Sequence, residues 1–129
     1  MAGPGASEGL VEAVYPALTI GGQQETHVPS GTTFYVTVQV DAGSFAFGSG
    51  DAYRLHVLVK DLVSNANVVN SIANGHMGTP SWPTHNYAYT FPVAAAPNTI
   101  YQALAVITVA PSSPEPAVSF LESDPIVVN

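Results

Sequence analysis

The feature of this chain that most constrains its fold is residues 99–110, a stretch without charge, glycine or proline. From Tyr101 to Val109 every second residue is apolar. Side chains alternate between the two faces of a β-strand, so this period of two predicts a strand. Leu104 and Val106 add apolar groups to the opposite face. A strand that is apolar on both faces is typical of the centre of a sheet, and we expect the other strands to be arranged around it.

Other segments show a similar alternation and are separated by turns. The clearest is residues 33–41, where valine and phenylalanine alternate with polar residues. Pro16 lies in the first apolar segment, and that segment fits the edge of a sheet because proline cannot donate a ladder hydrogen bond. Residues 122–125 suggest a bulge in the last segment. Apart from the central strand, the predicted strands are residues 10–20, 33–41, 53–62, 85–93 and 118–128.

Two segments lack a regular pattern. Residues 42–51 are rich in glycine and serine and predict a long loop. Residues 63–84 hold a short apolar patch among several asparagines, which predicts one short edge strand and a long loop. Short strands separated by turns every ten residues or so indicate an all-β sandwich rather than alternating strands and helices.

In strand number and order the chain resembles an immunoglobulin-like or fibronectin type III-like domain over about residues 10–129. Tyr101 opens the penultimate long strand, where these folds keep a tyrosine corner. The paired cysteines of true immunoglobulin domains are absent, and Trp82 lies in a predicted loop rather than on the third strand. The resemblance implies an immunoglobulin-like, two-sheet antiparallel sandwich of six to eight strands. It implies no particular activity, because such folds host many functions.

Length and charge exclude several classes of function. The 129 residues fit one domain, and we predict a flexible leader over residues 1–9 and a single β-sandwich domain over residues 10–129. The chain has two cations, Arg54 and Lys60, and nine carboxylates, which gives a formal net charge of −7. Two cations cannot neutralise enough phosphates to bind nucleic acid or to hold an anionic membrane surface. No apolar run is long enough for membrane insertion.

The composition also bears on surface and compartment. There is no cysteine, which excludes disulfides, thiolate metal sites and thiol nucleophiles. Charged residues make up only 9% of the chain, so the surface must consist largely of uncharged polar groups. Such a surface favours contact with other surfaces. Scarce lysine and abundant threonine, serine and asparagine favour an extracellular or particle-surface location, although the compartment stays unassigned.

The sequence carries no catalytic motif such as the G-x-S-x-G turn of serine hydrolases, and we predict a protein without enzymatic activity or cofactor. Candidate metal ligands are His76, Met77 and His85, because imidazole and thioether groups suit copper. Residues 48–51 resemble half of a calcium-binding repeat, so calcium is a second alternative. In both cases ordinary loop residues are the simpler explanation.

Aromatic residues in predicted loops are candidates for contact with a partner. Phe45 and Phe47 lie in the loop over residues 42–51, and Trp82 lies between Ser81 and Pro83. Such side chains either fold back as plugs over the ends of the sandwich or serve as anchors for a protein or a carbohydrate, because they bury much area at a low entropy cost.

The second face of the central strand is the remaining candidate. If Leu104 and Val106 point away from the core together with Leu58, the sheet carries an apolar outer patch, and patches of this kind mark association surfaces. The alternative is that residues 63–84 cover them.

These observations favour a non-catalytic structural or interaction module, a self-associating β-sandwich subunit of a larger assembly. Its expected partners are other protein subunits, above all other copies of the chain. One alternative is a module that binds carbohydrate or protein through Phe45, Phe47 and Trp82. The other is a small copper- or calcium-binding β-sandwich.

Overall fold

Strands dominate the computed structural model, which describes residues 7–129. Within this range there are nine strands and one short helix. The strands are β1 (Gly9–Ala17), β2 (His27–Val28), β3 (Thr33–Ala42), β4 (Ala52–Asp61), β5 (Asn67–His76), β6 (Asn86–Ala94), β7 (Ile100–Val109), β8 (Ala117–Glu122) and β9 (Ile126–Val128), and the helix is α1 (Ser44–Gly48).

The strands form two sheets around one apolar core. The smaller sheet has the order β1-β3-β6, and the larger sheet has the order β2-β9-β7-β4-β5, with β8 also paired to β7. Side chains from both sheets meet in the core, among them Val36 and Val38 from the smaller sheet and Leu55 and Val57 from the larger. The prediction of an all-β, two-sheet protein is confirmed. There are nine strands rather than six to eight, and β2 pairs with β9 in parallel rather than antiparallel.

Strand β7 is the central strand that the alternation predicts. One of its edges pairs with β4 along nearly its whole length. The other edge pairs with β8 over residues 104–109 and with β9 at Ile100 and Tyr101. The residues from Tyr101 to Val109 that share its inner face are at most 2% exposed, whereas the intervening residues are half-buried.

Two predicted loops contain regular structure. Residues 42–51 include α1, whose Ala46 is fully buried and fixes one turn of helix over the end of the sandwich. The short edge strand predicted within residues 63–84 is the ten-residue β5, which pairs with β4. The alternation of β5 is weak because only Val69 and Ala73 of its inward row are apolar, and both are only partly buried.

The ends of the chain differ from prediction in detail. Residues 1–6 of the predicted leader lie outside the described residues, and Gly9 already belongs to β1. The predicted bulge separates β8 from β9. At Ser123 the N–H still donates to the Ala103 carbonyl at 2.8 Å, but the side-chain Oγ accepts the Ala103 N–H at 2.9 Å. Strand β2 has two residues, too few for any period to show.

Tyr101 connects the start of β7 to the turn after β6. Its side chain is 2% exposed and packs against Phe34, with ring centroids 5.7 Å apart. Its hydroxyl donates to the Ala94 carbonyl at 3.3 Å and accepts the Ala96 N–H at 3.2 Å. The hydroxyl therefore fixes the corner at which the chain crosses from the smaller to the larger sheet.

Substituting Tyr101→Phe should lower the free energy of unfolding by about 1–2 kcal/mol, because it removes two hydrogen bonds at a buried corner. Urea denaturation measures this. The matched control is Tyr15→Phe, whose hydroxyl accepts an exposed hydrogen bond from Gln39 at 3.2 Å and whose loss should change stability by less than about 0.5 kcal/mol. Equal effects of the two substitutions would contradict the structural role given to Tyr101.

Candidate interaction surface

The larger sheet presents one face to the core and the other to solvent, and we call the second the outer face. The register places its side chains in rows across four strands. In one row Phe120 pairs with Val106, which pairs with His56, which pairs with Ile72. In the next row Leu104 pairs with Leu58. Partners that face each other in antiparallel strands project to the same side, so these residues share one surface.

Apolar side chains run across this face from β8 to β5. Phe120 is 67% exposed, Val118 is 58% exposed and Ile72 is 55% exposed. Between them lie three half-buried residues. We call the six residues the apolar stripe: Leu58, Ile72, Leu104, Val106, Val118 and Phe120. Contiguous exposed apolar groups are unusual on a monomer and mark association surfaces.

Residues 63–84 do not cover the stripe. Strand β5 lies beside β4 at the edge of the same sheet and contributes Ile72 to the stripe. The segment after β5 turns toward the core, where Met77 is 1% exposed and Trp82 is fully buried. Leu58, Leu104 and Val106 are therefore brought together on an open face, as the sequence predicts for the uncovered case.

Polar groups border the stripe. Arg54 pairs with Thr108 on one side, and Lys60 pairs with Gln102 on the other. His56 lies between Val106 and Ile72 in the register. Its Nε2 donates to Asn70 Oδ1 at 2.7 Å, so its ring is held along the sheet. A shallow groove of about 360 Å³ lies on this face. Its lining residues include Leu58, Lys60, Leu62, Gln102, Leu104 and Glu122.

Trp82 is a core residue and is not available as a contact anchor. Its ring packs edge-on against Tyr53, with centroids 4.9 Å apart, and its indole N–H donates to the His85 carbonyl at 3.4 Å. The loop around Trp82 folds inward and buries the indole completely, so this side chain is not exposed to a partner. The plug interpretation of this residue is the one that the structure supports.

Phe45 and Phe47 lie on α1 and have different surroundings. Phe45 is 60% exposed. Phe47 is partly buried against the core and stacks on His85, with ring centroids 4.1 Å apart. Together with the burial of Trp82, this leaves Phe45 as the one strongly exposed member of the three aromatic candidates. They do not form a shared aromatic platform for a carbohydrate or a protein.

The candidate metal ligands His76, Met77 and His85 each have other contacts in the structure. Met77 is buried, so its thioether is part of the core rather than a ligand facing a metal site. His76 Nδ1 lies 3.0 Å from the Gly50 carbonyl, and His85 is stacked on Phe47. Among residues 7–129 no three His, Cys, Asp or Glu side chains are grouped as they would be to hold a metal ion.

One polar cluster was not identified from the sequence. The hydroxyls of Tyr53 and Tyr89 are 2.6 Å apart, and both lie within hydrogen-bond distance of the Ser81 carbonyl. Burial and the hydrogen bond with Tyr53 raise the pKa of Tyr89 well above its usual range. The cluster holds the loop that carries Trp82 against the core. The sequence feature that could have indicated this cluster is the pair of tyrosines at alternate positions of β6, and that feature also fits ordinary core packing.

Comparison with known proteins finds no matching family model and no matching curated protein. Among the described residues no helix has the length and hydrophobicity needed to cross a membrane. Function is therefore inferred from the chain's own geometry.

The two interpretations of the loop aromatics predict different effects on stability. Trp82→Ala should lower the free energy of unfolding by roughly 3–5 kcal/mol, because it leaves a large cavity in the core. Phe45→Ala, at an exposed position, should change it by less than about 0.5 kcal/mol. Chemical denaturation of both variants provides the test. Unchanged stability of Trp82→Ala would contradict the core assignment.

Proposed function

We propose that this protein is a non-catalytic, self-associating module, and that the outer face of the larger sheet is its association surface. The observation that carries the proposal is the apolar stripe, in which three side chains more than half exposed extend a half-buried apolar centre across β8, β7, β4 and β5. Protein interfaces have this anatomy, with apolar and aromatic groups at the centre and polar groups at the rim.

Burial of the stripe would supply a favourable energy for association. Burying a Phe side chain contributes about 1.5–3 kcal/mol, and a symmetric interface would bury Phe120 from each copy. Val118 and Ile72 are exposed to a similar degree and would add to it. Their burial has to exceed the cost of lost translational and rotational freedom, which is why a contiguous stripe supports the proposal better than scattered apolar residues would.

Charge also favours this surface. The chain carries a formal net charge of −7, so two copies repel each other over most orientations. Both cations of the chain, Arg54 and Lys60, lie on the outer face, and Glu122 is the carboxylate that the strand register places there. This face is therefore the part of the surface where two copies can approach with the least repulsion.

We further propose that the sandwich has immunoglobulin-like connectivity. The support is the division of strands into β1-β3-β6 and β2-β9-β7-β4-β5, with the connections from β3 to β4 and from β6 to β7 both passing from one sheet to the other. The hydroxyl of Tyr101 bonds to backbone groups just upstream, as in a tyrosine corner.

Substituting Phe120→Glu should weaken self-association about tenfold or more, because it replaces the largest exposed apolar side chain of the stripe with a charge that each copy must desolvate. The matched control is Ile20→Glu, which introduces the same charge at a position that is 68% exposed, against 67% for Phe120, but lies in the connection between β1 and β2. Sedimentation velocity over a range of concentrations measures both.

Both variants add the same charge at an equally exposed position, so a difference between them reports the effect of the position alone. Equal weakening by both substitutions would indicate a general effect of net charge and would contradict the assignment of this face. Unchanged self-association of Phe120→Glu would also contradict the assignment of this face. Circular dichroism and thermal unfolding of each variant establish that the fold is retained.

A further inference from the structure

The five outer edges of the two sheets are not equally protected. Exposed strand edges are templates for pairing with another chain, and proteins block them with proline, charge, bulges or short strands. In the smaller sheet β1 carries Glu12, Pro16 and a register shift between Val11 and Ala13, and β6 carries Pro92. In the larger sheet the edge strand β2 has two residues. The edge strand β8 pairs with β7 alone, and it is short, with six residues that end in the charged Glu122. Four of the five edges therefore have a recognisable block.

The fifth edge, β5, has none over most of its length. At its end the outward His76 carbonyl accepts a hydrogen bond from Thr79 Oγ1 at 2.6 Å. The ten residues of β5 contain no charge and no proline, and its one irregularity is the register shift opposite Val59 and Lys60, at the Asn67 end. From residue 69 to residue 76 the ladder with β4 is regular. Among the described residues β5 pairs with β4 alone, so its other side presents a long, flat row of backbone groups.

The ladder fixes which backbone groups of β5 face outward. The Met77 N–H donates to the Asp51 carbonyl at 3.0 Å, so hydrogen-bonded pairs with β4 recur at every second residue from there. The N–H and C=O groups of Asn70, Ile72 and Asn74 consequently point away from β4, toward the free edge. The side chains of the same three residues lie on the outer face, opposite Leu58, His56 and Arg54.

From these observations we infer that β5 pairs antiparallel with β5 of a second copy, and that Ile72 lies on the two-fold axis. The inference rests on the proposed function, since it takes the partner to be a second copy. The contact is different: backbone hydrogen bonds join the two sheet edges, whereas the proposed function uses side-chain packing on the outer face. A strand that pairs with itself antiparallel is self-complementary, as a two-fold interface requires.

The choice of Ile72 as centre follows from the side chains. With Ile72 opposite Ile72 of the second copy, Asn70 lies opposite Asn74, and the overlap extends over residues 69–75, because the His76 carbonyl is bonded to Thr79 Oγ1. This register pairs the exposed Ile72 with its copy and joins the two apolar stripes into one band through the dimer axis. Shifting the centre to residue 70 or 74 would place Ile72 opposite another position and shorten the overlap.

Charge and side-chain size at this edge admit a second copy. No carboxylate lies on β5, and its neighbour β4 carries both cations of the chain. On the inner side of β5 the residues that would approach the partner strand at the centre are small: Ser71, Ala73 and Gly75. A partner of the same net negative charge meets less repulsion here than elsewhere, and no bulky inner group blocks the approach.

The register can be tested directly because the natural chain has no cysteine. We would make the single variants Ile72→Cys, Asn70→Cys and Asn74→Cys and oxidise each under mild conditions. Ile72→Cys should form a disulfide dimer, since paired strand residues lie within the Cα separation that a disulfide spans. Asn70→Cys and Asn74→Cys should each stay monomeric on a non-reducing gel, because identical residues would be about 13 Å apart along the strands.

A mixture of Asn70→Cys and Asn74→Cys should form the disulfide that neither forms alone. Ile20→Cys, equally exposed but remote from β5, measures random collision. A mixture that cross-links no faster than Ile20→Cys, or Ile72→Cys that does not cross-link above that level, would overturn the edge pairing.

Failure of this inference and failure of the proposed function give different results. If the wild-type chain associates and Phe120→Glu weakens it while the cysteine pattern is absent, the face is the interface and the edge pairing is wrong. If the cysteine pattern is present and Phe120→Glu has no effect, the edge pairing holds and the face assignment is wrong. A wild-type chain that stays monomeric and an absent cysteine pattern would overturn both.

Discussion

Strand β7 forms hydrogen-bonded ladders along both of its edges, and the larger sheet depends on that position. One edge holds β4, and through it β5, while the other holds β8 and β9. Its inner row packs against the smaller sheet, and the Tyr101 hydroxyl fixes the corner at which the chain enters β7. A strand paired on both edges can bury only one face within a two-layer fold, so Leu104 and Val106 remain on the other.

The proposed function depends on that second face of β7. Apolar groups at Leu104 and Val106 gain neighbours from β4 and β8, and Ile72 extends the row to the edge of the sheet. Ile72 thus belongs both to the apolar stripe and to the unblocked edge. The low charge of the chain and the position of both cations on β4 leave this region as the surface that a second copy can approach most easily.

Much of the fold was predictable because its strands alternate clearly. The inner row of β7 and the edge position of β1 with Pro16 follow from period and from proline chemistry. Strand β5 was underestimated because its inward residues are small and only partly buried, which weakens the pattern. For Trp82 the sequence left two interpretations open, because a loop position does not show whether the loop folds inward. The alternation of the two strands predicted that Leu58 and Leu104 share one face. Whether that face is covered depends on the path of residues 63–84, which the sequence pattern does not give.

The most direct test of the central claim is the molar mass of the wild-type chain by sedimentation equilibrium over a range of concentrations. Self-association predicts a mass that rises from the 13.3 kDa of the monomer toward at least twice that value as the concentration increases. The equilibrium should respond to salt only modestly, because apolar burial and backbone pairing are weakly screened compared with exposed charges. A mass of 13.3 kDa at every concentration would contradict the account.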